Sequence, residues 1–194
     1  RLSRAAKLAG APSSPLAAGR QYYLYVNTGT DLAGNQVSGL FQTFYAELTA
    51  ASSAPTVILF NPLPGATGIG TNAYIEAEFS GPIDPTTLSG VTLSIGGSPV
   101  PTSPVLGAGN TVLQLVPQTP LTANTTYTMT VAGVKDAAGN PVPTAANSFT
   151  TGPTYDINAP YVVNYDPPNY ATVGTNVIPK LIFNKPLNPL TVSN

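Results

Sequence analysis

The chain repeats itself. Leu8 to Phe44 aligns without a gap on Leu113 to Phe149, 105 residues later, and 13 of the 37 aligned positions are identical, too many for unrelated segments. Pro12 matches Pro117, Pro15 matches Pro120, Tyr22 matches Tyr127, Asp31 matches Asp136, Asn35 matches Asn140 and Phe44 matches Phe149. Further on, Ala54-Pro-Thr-Val57 returns as Ala159-Pro-Tyr-Val162. After one deletion, Asn72, Phe79, Pro82 and Pro85 return as Asn176, Phe183, Pro186 and Pro189. A period near 100 residues restricts the chain to a series of similar domains. The divisions that follow are 1–48 for the second half of one unit, 54–152 for a complete unit and 157–194 for the first half of a third. Half a unit cannot close a core, so the sequence reads as a window on a longer tandem array extending both ways.

Within the complete unit, β-rich stretches alternate with Pro, Gly, Asn and Asp clusters, the spacing of an all-β sandwich or barrel. Strands are predicted at Thr56–Asn61, Ala73–Ser80, Gly90–Ile95, Thr111–Val116, Thr126–Ala132 and Asn147–Thr151, with a weak one near Pro99–Thr102. In Thr126-Tyr-Thr-Met-Thr-Val131, alternation sends Tyr127, Met129 and Val131 to the core and the threonines outward. The same logic turns Ile75, Ala77 and Phe79 inward and Tyr74, Glu76 and Glu78 outward. Asp84-Pro-Thr-Thr-Leu88 reads as a single helical turn with Asp84 as its N-cap.

Composition narrows the chemistry. The 194 residues include no Cys and no His, which removes the common zinc and iron ligand sets, Ser-His-Asp and Cys-His nucleophiles and disulfides. Seven basic against eight acidic residues supply no face for nucleic-acid phosphates or anionic lipid. No apolar run approaches the roughly 20 residues of a membrane helix. The basic start, Arg1 to Lys7, lacks the continuous apolar stretch of a signal peptide, since Gly10, Pro12 and Pro15 interrupt it.

Leu121-Thr-Ala-Asn-Thr-Thr-Tyr127, echoed at Leu16 to Tyr22, resembles the tyrosine corner of immunoglobulin-like sandwiches, which makes Tyr22 and Tyr127 structural residues. Together with Ala54-Pro-Thr-Val57, Pro62 to Thr67, Phe79-Ser-Gly-Pro-Ile-Asp84, Val134 to Asn140 and Phe149-Thr-Thr151, these residues resemble the fifth family of bacterial immunoglobulin-like domains. The resemblance implies tandem Ig-like Greek-key β-sandwiches in prokaryotic secreted, cell-surface or S-layer proteins. The third unit departs from it: Asn188 stands where the central unit has Asp84, and Tyr170 where it has Gly65.

Four places offer chemistry. Asp136-Ala-Ala-Gly-Asn140 and Asp31-Leu-Ala-Gly-Asn35 could present oxygens to calcium, but one carboxylate per loop favours a plain turn closed by Asp and Gly. Tyr155-Asp156-Ile-Asn158-Ala-Pro160 resembles an acidic calcium-binding linker of cadherin-type repeats, whereas the matching Ala50-Ala-Ser-Ser-Ala54 has no carboxylate; a plain linker is favoured. Glu76 and Glu78 are two apart on a strand, close enough for glycosidase carboxylates, yet nothing builds a cleft around them, and a solvated sheet face is preferred. Tyr23 and Tyr25 take outward positions held by Thr128 and Thr130 in the central unit, so they would expose two aromatics for a sugar or a protein surface; packing against a neighbouring loop is the plainer account. Asn124-Thr-Thr126 fits the glycosylation pattern and carries little weight.

The expectation is therefore a structural segment, not an enzyme. It would act as spacer or assembly unit of an extracellular stalk, layer or filament, with neighbouring repeats, further copies or other surface proteins as partners, and with no cofactor, calcium at the loops or linker being the disfavoured alternative. An adhesion or glycan-binding module is the alternative.

Overall fold

The computed structural model describes residues 15–26, 28–47 and 53–192. The basic run Arg1 to Lys7 and the linker residues Ala50 to Ser52 lie outside them. The chain divides into two compact units, residues 1–52 and 53–194.

In the first unit, β1 (Gln21–Val26) pairs antiparallel with β2 (Leu40–Tyr45), setting Tyr22 opposite Phe44 and Tyr25 opposite Phe41. The rings of Tyr22 and Phe44 stack at 5.7 Å on one face, and Tyr23, Tyr25 and Phe41 cluster on the other.

The second unit contains β3 (Val57–Asn61), β4 (Ile75–Phe79), β5 (Thr92–Ile95), β6 (Ser98–Val100), β7 (Thr102–Gly107), β8 (Val112–Pro117), β9 (Thr126–Val131), β10 (Ala145–Thr150), β11 (Val162–Asp166) and β12 (Lys180–Phe183). Two four-stranded sheets, β3-β4-β8-β7 and β10-β9-β5-β6, sandwich one core. Alternation fills it. Ile75, Ala77, Phe79, Leu113 and Leu115 come from the first sheet, and Leu93, Tyr127, Met129, Val131 and Phe149 from the second, all buried. The strand order is that of Ig-like sandwiches, with one extra strand, β6, beside the three-stranded sheet.

Two details depart from the sequence pattern. The weak strand expected near Pro99–Thr102 forms as β6 but stops at a switch point: β6 and β7 flank Pro101 and belong to different sheets. Pro101 has no N–H to donate to either ladder, so the crossing leaves no ladder donor unpaired there. Glu76 is also more than a solvated residue, since its Oε2 accepts from Asn61 Nδ2 at 3.0 Å and from Asn188 Nδ2 at 2.7 Å.

The turn at Pro85–Gly90 forms as read, with the Asp84 carboxylate accepting from the Thr86 amide at 2.8 Å. Asn188 caps the matching turn, Pro189–Thr191, by accepting from the Leu190 amide at 3.0 Å. β11 and β12 form a hairpin whose Val163, Tyr165, Leu181 and Ile182 are all more than half exposed, whereas β4, the counterpart of β12, buries Ile75, Ala77 and Phe79 in the sandwich. Among the described residues no helix is long and apolar enough to cross a membrane.

Candidate functional site

At each tyrosine corner the phenol holds the chain before its own strand. The Tyr127 hydroxyl accepts from the Thr122 amide at 2.7 Å, and the Tyr22 hydroxyl accepts from the Ala17 amide at 2.7 Å. In the complete sandwich this bond is enclosed, because Tyr127 is buried and stacks on Phe149 at 5.7 Å. These tyrosines anchor strands; no reactant can reach Tyr127.

The two Asp-to-Asn loops share one hydrogen-bond pattern. Asp136 Oδ1 accepts from the amides of Ala138 and Asn140 at 2.9 and 2.8 Å, and Oδ2 accepts from Asn140 Nδ2 at 2.8 Å. Asp31 makes the same contacts with Ala33 and Asn35 at 2.8, 2.9 and 2.8 Å. Gly139 and Gly34 supply the left-handed residue each turn requires, at φ of 90° and 87°. Each carboxylate is thus the clasp of its own loop, both oxygens already accepting. Burial raises the Asp136 pKa, but the donors from Asn140, Ala138 and Gly139 outweigh it and hold the carboxyl below its ordinary value. The Asn35 side chain, more than any other group, lowers the pKa of Asp31.

A group with a depressed folded pKa contributes stability that is present above the unfolded value and lost as pH falls through that value and below. Asp136→Asn should therefore cost about 1–2 kcal/mol at neutral pH by turning an acceptor into a donor facing Asn140. It should also flatten the loss of thermal midpoint seen in the parent from about pH 4 downward. Equal acid limbs in the two proteins would remove the clasp from the account.

Asp156 and Asn158, in the segment before β11, are drawn into a network. Lys185 Nζ donates to Asp156 Oδ1 at 2.9 Å and Oδ2 at 2.7 Å, and also to the Asn158 carbonyl. Asn72 grips the Asp156 backbone, its Nδ2 donating to the carbonyl at 2.9 Å and its Oδ1 accepting from the amide at 3.0 Å. The Lys185 hydrogen bond is the largest influence lowering the Asp156 pKa, followed by the Asn158 amide. Asn72, Asp156 and Lys185 line a cleft of about 620 Å3 together with Ile69, Tyr74, Pro186 and Leu187. The sequence pattern alone does not single out Lys185 or Asn72 as partners. The available signal was a lysine, in a chain with seven basic residues, standing where the central unit has Gly81.

Tyr23 and Tyr25 are 51% and 57% exposed, beside Phe41 at 58%. At the corresponding place in the complete sandwich lies a hydroxyl ladder, Thr126 with Thr150 and Thr128 with Ser148, each pair at 2.9 Å. Glu76 and Glu78 are half-buried on β4, and Asn61 and Asn188 both occupy the Glu76 carboxylate. Among the described residues no group of three or more His, Cys, Asp or Glu could hold a metal ion.

The profile of a family described as bacterial Ig-like domain matches residues 51–151, more than half of the chain. No curated protein sequence matches it. Among solved structures, PcoC, a methionine-rich copper resistance protein from Escherichia coli, is 22% identical at a TM-score of 0.44, over 51% of this chain and 99% of that one. CopC from Methylosinus trichosporium OB3b is 17% identical at 0.45, over 54% of this chain and 99% of that one. Domains 1–6 of the surface layer protein SbsC are 18% identical at 0.41, over 59% of this chain, which spans 15% of that one.

Proposed function

Because the chain belongs to the bacterial Ig-like domain family, we propose that it is a structural segment of an extracellular or cell-surface prokaryotic protein. Its sandwiches serve as spacers or assembly units of a stalk, layer or filament, and 1–48 and 157–194 are parts of repeats flanking the complete one at 54–152. One observation carries the reading. Phe149, in the core of the complete sandwich, is 1% exposed, whereas Phe44, its counterpart 105 residues earlier, is 43% exposed. The same side-chain pattern is enclosed once and left open once, as expected of serial sandwiches of which one is entire here. The charge balance suits such a role, because a net charge of −1 leaves little repulsion between copies. Electron microscopy of the native particle tests this: a row of beads of uniform size supports it, and an isolated globule ends it.

A second reading is favoured by the aromatic face of the first hairpin. Tyr23, Tyr25 and Phe41 form an exposed platform bearing phenol hydroxyls and no charge, suited to stacking on a neutral sugar ring. Binding on a glycan array that disappears in a Tyr23→Ser, Tyr25→Ser variant would establish it; no binding by the parent would dismiss it.

A further inference from the structure

We infer that the boundary between residues 152 and 160 is a latched joint: a socket on the complete sandwich, Gly70 and Asn72, holds Asp156, and Lys185 and Asn188 of the following segment close over it, Lys185 onto Asp156 and Asn188 onto Glu76. The inference rests on the repeat reading but not on the cell-surface location.

Four contacts build the latch. Asn72 takes the Asp156 peptide backbone by amide and carbonyl together, as a neighbouring strand would. Gly70 makes room for that approach, since a methyl group there would stand 2.8 Å from the Asp156 Cβ and 3.3 Å from its amide nitrogen. The Lys185 ammonium directs its three donors to both Asp156 oxygens and the Asn158 carbonyl, tying the linker to the segment that follows. Asn188 reaches across to Glu76. An exposed ion pair by itself would fix little. Here the pair closes a linker already gripped through its backbone, and the Glu76 contact stops the two sides from pivoting about it. The amide at position 188 is also the right chemistry, because a carboxylate like Asp84 would repel Glu76.

The chain carries its own control. At the preceding boundary, the positions matching Asp156 and Lys185 hold Ala51 and Gly81, so both partners of the ion pair are missing together. The socket, by contrast, recurs: Gly174 and Asn176 match Gly70 and Asn72. A methyl group on Gly174 would stand 2.9 Å from Asn176 Oδ1, much as one on Gly70 would stand 2.8 Å from Asn72 Oδ1. The glycine-asparagine socket is the constant part, and the Asp–Lys pair selects which boundary is locked. The ammonium of Lys185 takes the role that a bound cation would have in an acidic linker.

The chain has no Cys, so nitroxide labels on Ser98→Cys and Asn169→Cys report one distance across the joint in the whole chain. The parent should give a single narrow distance distribution. Lys185→Ala and Gly70→Ala should each lose that narrow peak, and exchanging the charges, Asp156→Lys with Lys185→Asp, should recover it from either single reversal. Calcium or a chelator should change nothing. Circular dichroism and thermal unfolding check that the sandwich stays folded. Should Lys185→Ala disturb it, Lys185→Met keeps the apolar stem and must broaden the distribution as well. A peak as narrow in the lysine variants as in the parent overturns the latch, and so does a peak that narrows only with calcium. A narrow parent peak in a particle that images as an isolated globule would keep the joint and end the structural reading above.

Discussion

Phe149→Ala is expected to take about 3–5 kcal/mol from the stability of the complete sandwich, whereas Phe44→Ala, the matching change in the first hairpin, should cost about 1 kcal/mol. The two phenylalanines have the same partner and nearly the same geometry. Phe149 stacks on Tyr127 at 5.7 Å with 16° between the planes, and Phe44 stacks on Tyr22 at 5.7 Å with 21°. What differs is the rest of the environment. Phe149 is 1% exposed and shares its core with residues of both sheets, so truncation leaves a cavity that close-packed neighbours fill only in part. Phe44 is 43% exposed and keeps mainly its ring contact. Against a typical total of about 5–15 kcal/mol, the first loss can unfold the domain, and the second cannot. Denaturant unfolding followed at resolved amide signals of each hairpin measures both. An equal cost at the two sites would mean that the open face of the first hairpin is covered in solution, and would place a complementary half-sandwich over it.

Much of this architecture was legible because each strand of the complete sandwich obeys one simple rule. Alternation named Ile75, Ala77 and Phe79, and again Tyr127, Met129 and Val131, and all six are buried. The N-cap at Asp84 was legible for a local reason, since an Asp just before a Pro at the first helical position stands where its carboxylate can accept from the amides of the first turn. β7 was missed because Thr102–Gly107 contains Pro104 and ends in Gly, the composition of a turn; it is tolerated as a strand because β7 lies at the sheet edge and pairs only with β8. The boundary network was illegible for a different reason. Asn72, Asp156 and Lys185 are far apart in the chain, and each reads alone as an ordinary surface residue. Their meeting depends on where the segment after residue 160 docks, and no period in a single sequence encodes that. Asp31 and Asp136 were placed correctly in turns, but the reciprocal Asn35 and Asn140 bonds that make the turn a clasp required coordinates.

Gly90→Ala should destabilise the sandwich by about 2–3 kcal/mol, near the top of the usual range for forcing one extra carbon into a packed site. A thermal midpoint roughly 10–20 °C lower is then expected for a domain of this size. Gly90 closes the helical turn that leads into β5, and β5 pairs with β9 so that Thr92 lies opposite Thr130. Two residues back along the same register, Gly90 faces Ala132. A methyl group there would sit 2.3 Å from the Ala132 carbonyl oxygen and 3.0 Å from its carbon. Both are backbone atoms, so relief requires moving the end of β9 or the entry of β5, and either shift disturbs the buried Val131 and Val91 beside them. Gly107→Ala is the counterpart. Gly107 lies in edge strand β7, and its added carbon would meet no heavy atom within 4 Å. The loss of unfolded-state freedom should then raise stability by about 0.4–1 kcal/mol. Opposite signs at the two glycines would locate the constraint in the backbone contact at Ala132. A neutral Gly90→Ala would show instead that the turn before β5 yields freely.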